Sequence, residues 1–325
     1  MDQRNRTLDI AKGIGICLVV LGHIQNPTQP YIYGFHMPMF FILSGMFFKE
    51  KYLDEPIRYV KSRFQRLLLP FLLINIFAYF IFPHEVAPWW RMFGIVSAID
   101  YPNSMLGAVW FLKTLFVVSL MFYVFLSIYR RWSHLGKNYI LPPLFFLVAL
   151  ICDFFTGPKV SAWFFQCFFF SLGFFIQNYE ECIVSDERPS LKTLVLVAVG
   201  GGLFLLLNPL RGGDINSCRY SGMLPFAITG ILGSWFSFRL SSLINQWFPK
   251  IASTFCFLGY RTMSIILFHW IAFYFFGVLI YMKFGDVNDD TALYKLGLFF
   301  AGVITPILFD LVYESVKGFI VNKEK

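Results

Sequence analysis

Hydrophobic positions in this chain do not alternate with polar ones; they gather into long runs separated by short polar stretches. Ten runs recur, centred on Ile10 to Ile24, Tyr31 to Phe48, Leu67 to Phe82, Val109 to Tyr129, Tyr139 to Phe154, Ala162 to Ile176, Leu194 to Leu207, Gly222 to Phe238, Thr262 to Met282 and Leu296 to Val312. Each approaches the roughly 20 residues that an α-helix needs to cross a bilayer. The pattern predicts an all-α integral membrane protein, a bundle of about ten transmembrane helices. Connections are short, the longest running from Pro83 to Ala108, and no internal repeat is visible. Residues 1–325 are therefore expected to form a single transmembrane domain with no appended soluble domain.

Composition removes the soluble alternative. Hydrophobic residues make up 57% of the chain and charged residues only 14%, against roughly 25% charged in a soluble domain. The net charge of +8 comes from basic residues crowding the segments on the N-terminal side of the membrane, which places both termini in the cytoplasm by the positive-inside rule. That placement sets the charge against membrane lipids, and no nucleic-acid partner is expected. The first run carries Asp9, Lys12 and His23 and lacks a small-x-small cleavage site, so it is expected to stay as a helix. The six cysteines show neither disulfide nor zinc spacing, and no metal is expected.

Ionisable residues inside spans are costly in lipid, which makes the few present the first candidates for function. The eleven-residue step from Lys12 to His23 returns to within about 20° of the same helical direction and rises about 16 Å. One face of the first helix thus carries a cation at one boundary and an imidazole towards the other. Asp9 lies three residues before Lys12, the spacing of a helical ion pair, and a purely structural pair explains it equally well. His36 enters on the second run at a similar depth to His23. Pro38, which has no N–H, frees the carbonyl of Gly34 beside it, so His36 either faces a hydrated pocket or merely satisfies the loosened backbone. His269 falls near mid-membrane in the ninth run, where function and packing weigh evenly. Arg63 and Arg66 lie three apart in a basic stretch on the cytoplasmic side, suited to phosphate oxygens and equally to lipid headgroups. His84 and His134 fall in loops and are assigned nothing.

These residues together resemble the membrane-bound acyltransferase-3 family, bacterial enzymes that O-acylate surface sugars. The first-helix pattern of a basic residue, ten intervening residues and a histidine is matched by Lys12 and His23, with lysine in place of the more frequent arginine. The second-helix pattern appears as His36-Met-Pro38-Met-Phe40-Phe41-Ile-Leu-Ser44-Gly45, the Arg-x-x-Arg pattern as Arg63-Phe-Gln-Arg66, and weaker matches as Val109 to Leu112 and as Leu258-Gly259 with Ser264 and His269. The resemblance implies a multi-pass protein of the bacterial cytoplasmic (inner) membrane. It implies acetyl-CoA as acyl donor, docked from the cytoplasm against Arg63, Arg66 and Lys12, with His23 as general base and His36 or His269 orienting it or binding the developing oxyanion. The acceptor it implies is a carbohydrate or glycolipid hydroxyl, with Trp89, Trp90 and Tyr101 as sugar-stacking or interface aromatics. Two rival readings of the intramembrane histidines stand beside it: a carrier or exporter with a proton relay, and axial ligation of haem.

Overall fold

The computed structural model describes residues 5–82, 106–132, 140–177, 191–211, 213–216, 218–220, 222–285 and 290–323. His84, His134, Trp89, Trp90 and Tyr101 lie outside them. The helices are α1 (Arg6–Gly22), α2 (Gln29–Tyr33), α3 (His36–Met46), α4 (Pro56–Arg63), α5 (Leu69–Ile81), α6 (Trp110–Trp132), α7 (Leu141–Thr156), α8 (Pro158–Ile176) and α9 (Leu191–Arg211). A two-stranded hairpin, β1 (Gly213–Asp214) and β2 (Arg219–Tyr220), precedes α10 (Met223–Trp247), α11 (Pro249–Tyr260), α12 (Thr262–Phe284) and α13 (Ala292–Lys323).

Among the described residues six helices are long and apolar enough to cross a membrane, and Leu141–Thr156 and Thr193–Asn208 are shorter apolar helices. The protein is a multi-pass helical membrane protein, but ten full-length spans are not what the sequence runs become. The first run is the 17-residue α1, and the second breaks at Gly34 and Phe35 into α2 and α3. The break falls before Pro38, which sits in the first turn of α3, where a missing N–H costs no helical bond. Between the eighth and ninth runs, residues 249–260 form a further helix, α11.

Backbone contact at glycines sets the packing around α1 and α3. A Cβ on Gly13 would run into the Phe255 carbonyl of α11, and one on Gly259 into the Asp9 carbonyl of α1. Gly45 and Gly173 do the same between α3 and α8, each facing a backbone carbonyl of the other helix, Phe170 and Ile42 respectively. Small residues at helix crossings let membrane helices approach this closely and gain dispersion contact where no hydrophobic drive exists. Aromatic rings fill the space beyond: Phe48, fully buried at the end of α3, meets Tyr59, Phe122 and Phe174 edge-on at 5.4, 5.1 and 5.5 Å.

The break in the second run is held from outside. Asn208 of α9 donates through Nδ2 to the carbonyls of Pro30 at 3.1 Å and Tyr31 at 2.7 Å. Gly34 lies so near that any Cβ would overlap the Asn208 amide. Replacing Asn208 by Leu removes both of these hydrogen bonds, so a loss of about 1–3 kcal/mol, the worth of two, is expected. It should register as a lower unfolding temperature in detergent, with Gly34→Ala behaving alike.

Candidate active site

The α1 helix begins at Asn5, whose side-chain oxygen accepts the N–H groups of Thr7 and Leu8 at 3.0 and 3.3 Å, as an N-cap should. One turn on, Asp9 and Lys12 form the ion pair that their spacing predicts, Nζ to Oδ1 at 3.2 Å, with the carboxylate almost fully buried. The Lys12 ammonium also lies over the Phe47 ring, 4.0 Å from its centre. Phe47 and Phe48 end α3, and Phe48 touches Tyr59, over whose ring the Arg63 guanidinium sits at 5.0 Å. Lys12 and Arg63 are thus gathered at one end of the bundle.

Arg63 and Arg66 do not form the plain helical pair that their spacing suggests. Residues Phe64–Leu68 make a single π-helical turn, in which the Leu69 N–H reaches the Phe64 carbonyl. Pro70 supplies the cause, because without an N–H it cannot bond the Arg66 carbonyl and the turn widens. Arg63 is half-buried and Arg66 exposed, so one is fixed against Tyr59 while the other is presented to the surroundings.

At the opposite end of α1 the histidines converge. His23 and His269 stand 5.2 Å apart between ring centres, and Trp270 packs edge-on against His23 at the same distance. His36 lies across a cavity of about 160 Å³ whose wall includes both His23 and His36, with Tyr33 packed edge-on to His36 at 5.4 Å. On its other side His23 borders a wider recess of about 520 Å³ between α12 and α13, lined in part by Trp270, Tyr294 and Lys295.

All three imidazoles are held alike. Nδ1 of His23 lies 2.7 Å from the Val19 carbonyl, Nδ1 of His36 2.7 Å from Ile32 O, and Nδ1 of His269 2.7 Å from Ile265 O. A carbonyl oxygen can only accept, so in each neutral ring Nδ1 carries the hydrogen and Nε2 the lone pair. For His36 the bond goes to Ile32 rather than to the Gly34 carbonyl freed by Pro38, and it leaves the other nitrogen for the cavity. His269 is fully buried, and its Nε2 and the Trp270 indole nitrogen have no hydrogen-bond partner among the described residues.

Trp110 and Phe111, within the weaker match at Val109 to Leu112, line the cavity from the start of α6. Sequence reasoning missed others: Asp214 and Asn216 line it from the hairpin. No motif marks a hairpin between apolar runs, although Gly213-Asp214 is a turn-type dipeptide. Arg261, the N-cap residue of α12, is clamped by Asp310 at 3.4 Å and Glu314 at 3.6 Å, with Ser264 donating to Asp310 at 2.9 Å. Lys113 is fully buried in α6.

The fold and the cavity define a polytopic membrane protein with a cluster of three imidazoles at one end of its bundle. A family model described as an acyltransferase domain, Acyl_transf_3, matches residues 5–316, and the chain belongs to that family. It is 30% identical over 149 residues to the Nodulation protein NolL of Sinorhizobium fredii, covering 40% of each chain. It is 28% identical over 147 residues to the Nodulation protein NolL of Mesorhizobium japonicum, covering 41% of this chain and 38% of that one. The alignment therefore spans about two-fifths of the length of these relatives. No solved structure matches the chain.

Proposed function

We propose that the protein is a membrane O-acyltransferase that carries an acetyl group from acetyl-CoA to a hydroxyl of a cell-surface polysaccharide, lipid-linked sugar or glycolipid. The observation that carries the reading is His23: a cavity-lining imidazole with Nδ1 tied to backbone, in a chain that the acyltransferase model covers over residues 5–316. In this reading the runs cross a bacterial inner membrane about ten times, α1 and the paired α2 and α3 included, with both termini in the cytoplasm.

The polyanionic nucleotide of acetyl-CoA stays at the cytoplasmic boundary, where Arg63, Arg66 and Lys12 supply charge-assisted hydrogen bonds. About 16 Å of α1 separates Lys12 from His23, a span that the extended pantetheine arm bridges. There His23 Nε2 takes the proton of the acceptor hydroxyl as its oxygen attacks the thioester carbonyl. The Nδ1–H bond to the Val19 carbonyl stabilises the imidazolium that forms. The C–S bond then breaks, and the leaving sulfur recovers the proton as free thiol. Asp9 holds Lys12, His269 packs on His23, and His36 faces the reacting oxygen across the cavity.

The test is transfer of label from radioactive acetyl-CoA to extracted surface glycan and lipid-linked sugar in membranes containing the protein. Labelling above membranes without it supports the enzyme; none, across several acyl donors and acceptors, sinks it and leaves the carrier reading. Arg63→Ala and Arg66→Ala should each raise the KM for acetyl-CoA by roughly tenfold, the worth of one charged hydrogen bond, while leaving acceptor KM in place. An unchanged donor KM in the double variant would move the nucleotide site elsewhere.

A further inference from the structure

His23 stands between two spaces, the cavity of about 160 Å³ on one side and the recess of about 520 Å³ between α12 and α13 on the other. Trp270 parts them beside the imidazole. Its indole packs edge-on against His23 at 5.2 Å and lies so near Gly107, on the cavity wall, that a Cβ there would stand 3.0 Å from the ring. Phe273, one turn along α12, holds the indole from its other side at 6.0 Å. Beyond Trp270 the recess is lined by Phe273, Gly277, Val278 and Leu298. Gly277 lies two turns on along the same helical face, about 10 Å away, and a Cβ on it would meet only the Tyr294 hydroxyl, at 3.4 Å.

Volume decides what the cavity takes. A cavity of about 150 Å³ holds one benzene, about six non-hydrogen atoms. The reacting set fills that much: the sulfur, carbonyl carbon, carbonyl oxygen and methyl of an acetyl thioester, and the attacking oxygen of the acceptor with its carbon. The carbonyl must meet the hydroxyl that His23 activates, so these atoms lie against the imidazole. Each further methylene of the acyl group then needs room beyond the cavity. The nearest is the recess, whose largely apolar wall suits methylenes, and the indole of Trp270 stands in the way.

We propose that Trp270 sets the acyl length, confining transfer to the shortest acyl groups, and that the recess takes longer chains once the indole is removed. This rests on the acyltransferase reading above. The bonds exchanged do not depend on chain length: the ester C–O bond forms, the C–S bond breaks, and the acceptor proton passes through His23 to the sulfur. Only the substituent on the carbonyl differs. An aromatic ring that merely held His23 in place would, on removal, slow all donors alike, whereas one that limits length changes the ratio between them.

The experiment supplies acetyl-CoA and decanoyl-CoA, each labelled in the acyl group, to membranes containing the full chain, and counts label in surface glycan and lipid-linked sugar. The ratio of decanoyl to acetyl transfer is taken within each preparation, so it is independent of how much protein has folded. In the wild type it should be about 0.01 or less, because one methylene too many in an apolar pocket already costs roughly 10- to 200-fold. Trp270→Ala should raise the ratio at least about tenfold, the lower end of that range, and Trp270→Leu should raise it less. Adding Gly277→Phe to Trp270→Ala should bring it down again, since a helical side chain leans back towards the preceding turn and fills the recess. A wild type that transfers decanoyl within about tenfold of acetyl overturns the proposal. So does a ratio that neither Trp270→Ala nor Trp270→Leu raises, whether it stays as in the wild type or both variants transfer nothing. A raised ratio that Gly277→Phe leaves unmoved puts the chain outside the recess and overturns it too. A wild type that transfers nothing from either donor sinks the acyltransferase reading instead.

Discussion

His23→Ala should lower acetyl transfer by about 10²- to 10⁴-fold, the contribution of a positioned general base, at unchanged expression and elution profile. The imidazole stands at the C-terminal cap of α1, in contact with His269 and Trp270 and on the wall of the cavity. Removing it takes away the proton acceptor without cutting a hydrogen bond to another helix, because among the described residues the ring bonds to the Val19 carbonyl one turn earlier in α1. The loss should therefore appear in kcat far more than in either KM, and His23→Gln, which is of similar size but not basic, should be as inactive. Transfer within threefold of wild type in both variants would remove His23 from the chemistry.

Gly45→Val should cost at least ~3 kcal/mol, the upper part of the range for overpacking a core. A Cβ at Gly45 meets the Phe170 carbonyl, and that oxygen belongs to α8 backbone, which has no rotamer to yield. The whole of α3 must move away, carrying His36 with it and opening the contacts of Phe48 with Phe122 and Phe174. The expected outcome is an unfolding temperature lowered by roughly 10 °C, or loss of the single elution peak in detergent. Transfer activity should fall together with folded protein. Gly173→Val, on the facing helix, should do the same, whereas Gly202→Val, where a Cβ meets nothing within 4 Å, should be nearly neutral. A stable Gly45→Val protein would mean that α3 and α8 do not cross as described.

Hydropathy alone specified a helical membrane protein, because twenty apolar residues in succession have no other stable state in water or lipid. Helical geometry also placed two candidate side chains: Lys12 lies on α1 and His23 caps it, and their separation follows from helical rise whatever surrounds them. The Asp9 to Lys12 pair was legible for the same reason, since i,i+3 neighbours meet wherever the helix is formed. What failed were inferences that needed a partner. The π-helical turn at Phe64–Leu68 depends on Pro70 six residues beyond its start, and it undid the simple helical pairing of Arg63 with Arg66.

The split of the second run into α2 and α3 is stabilised by Asn208, a residue from α9 with no sequence signal pointing to residues 30–34. The meeting of His23 with His269 depends on α12 crossing α1, and the closing of the cavity by Asp214 and Asn216 depends on a hairpin whose burial pattern exists only once Ile215 has a core to enter. Periodicity and hydropathy report how each segment relates to its solvent. Which segments touch is decided by complementary shape at glycine crossings and by polar atoms seeking partners across the bundle, and those exist only in the folded protein.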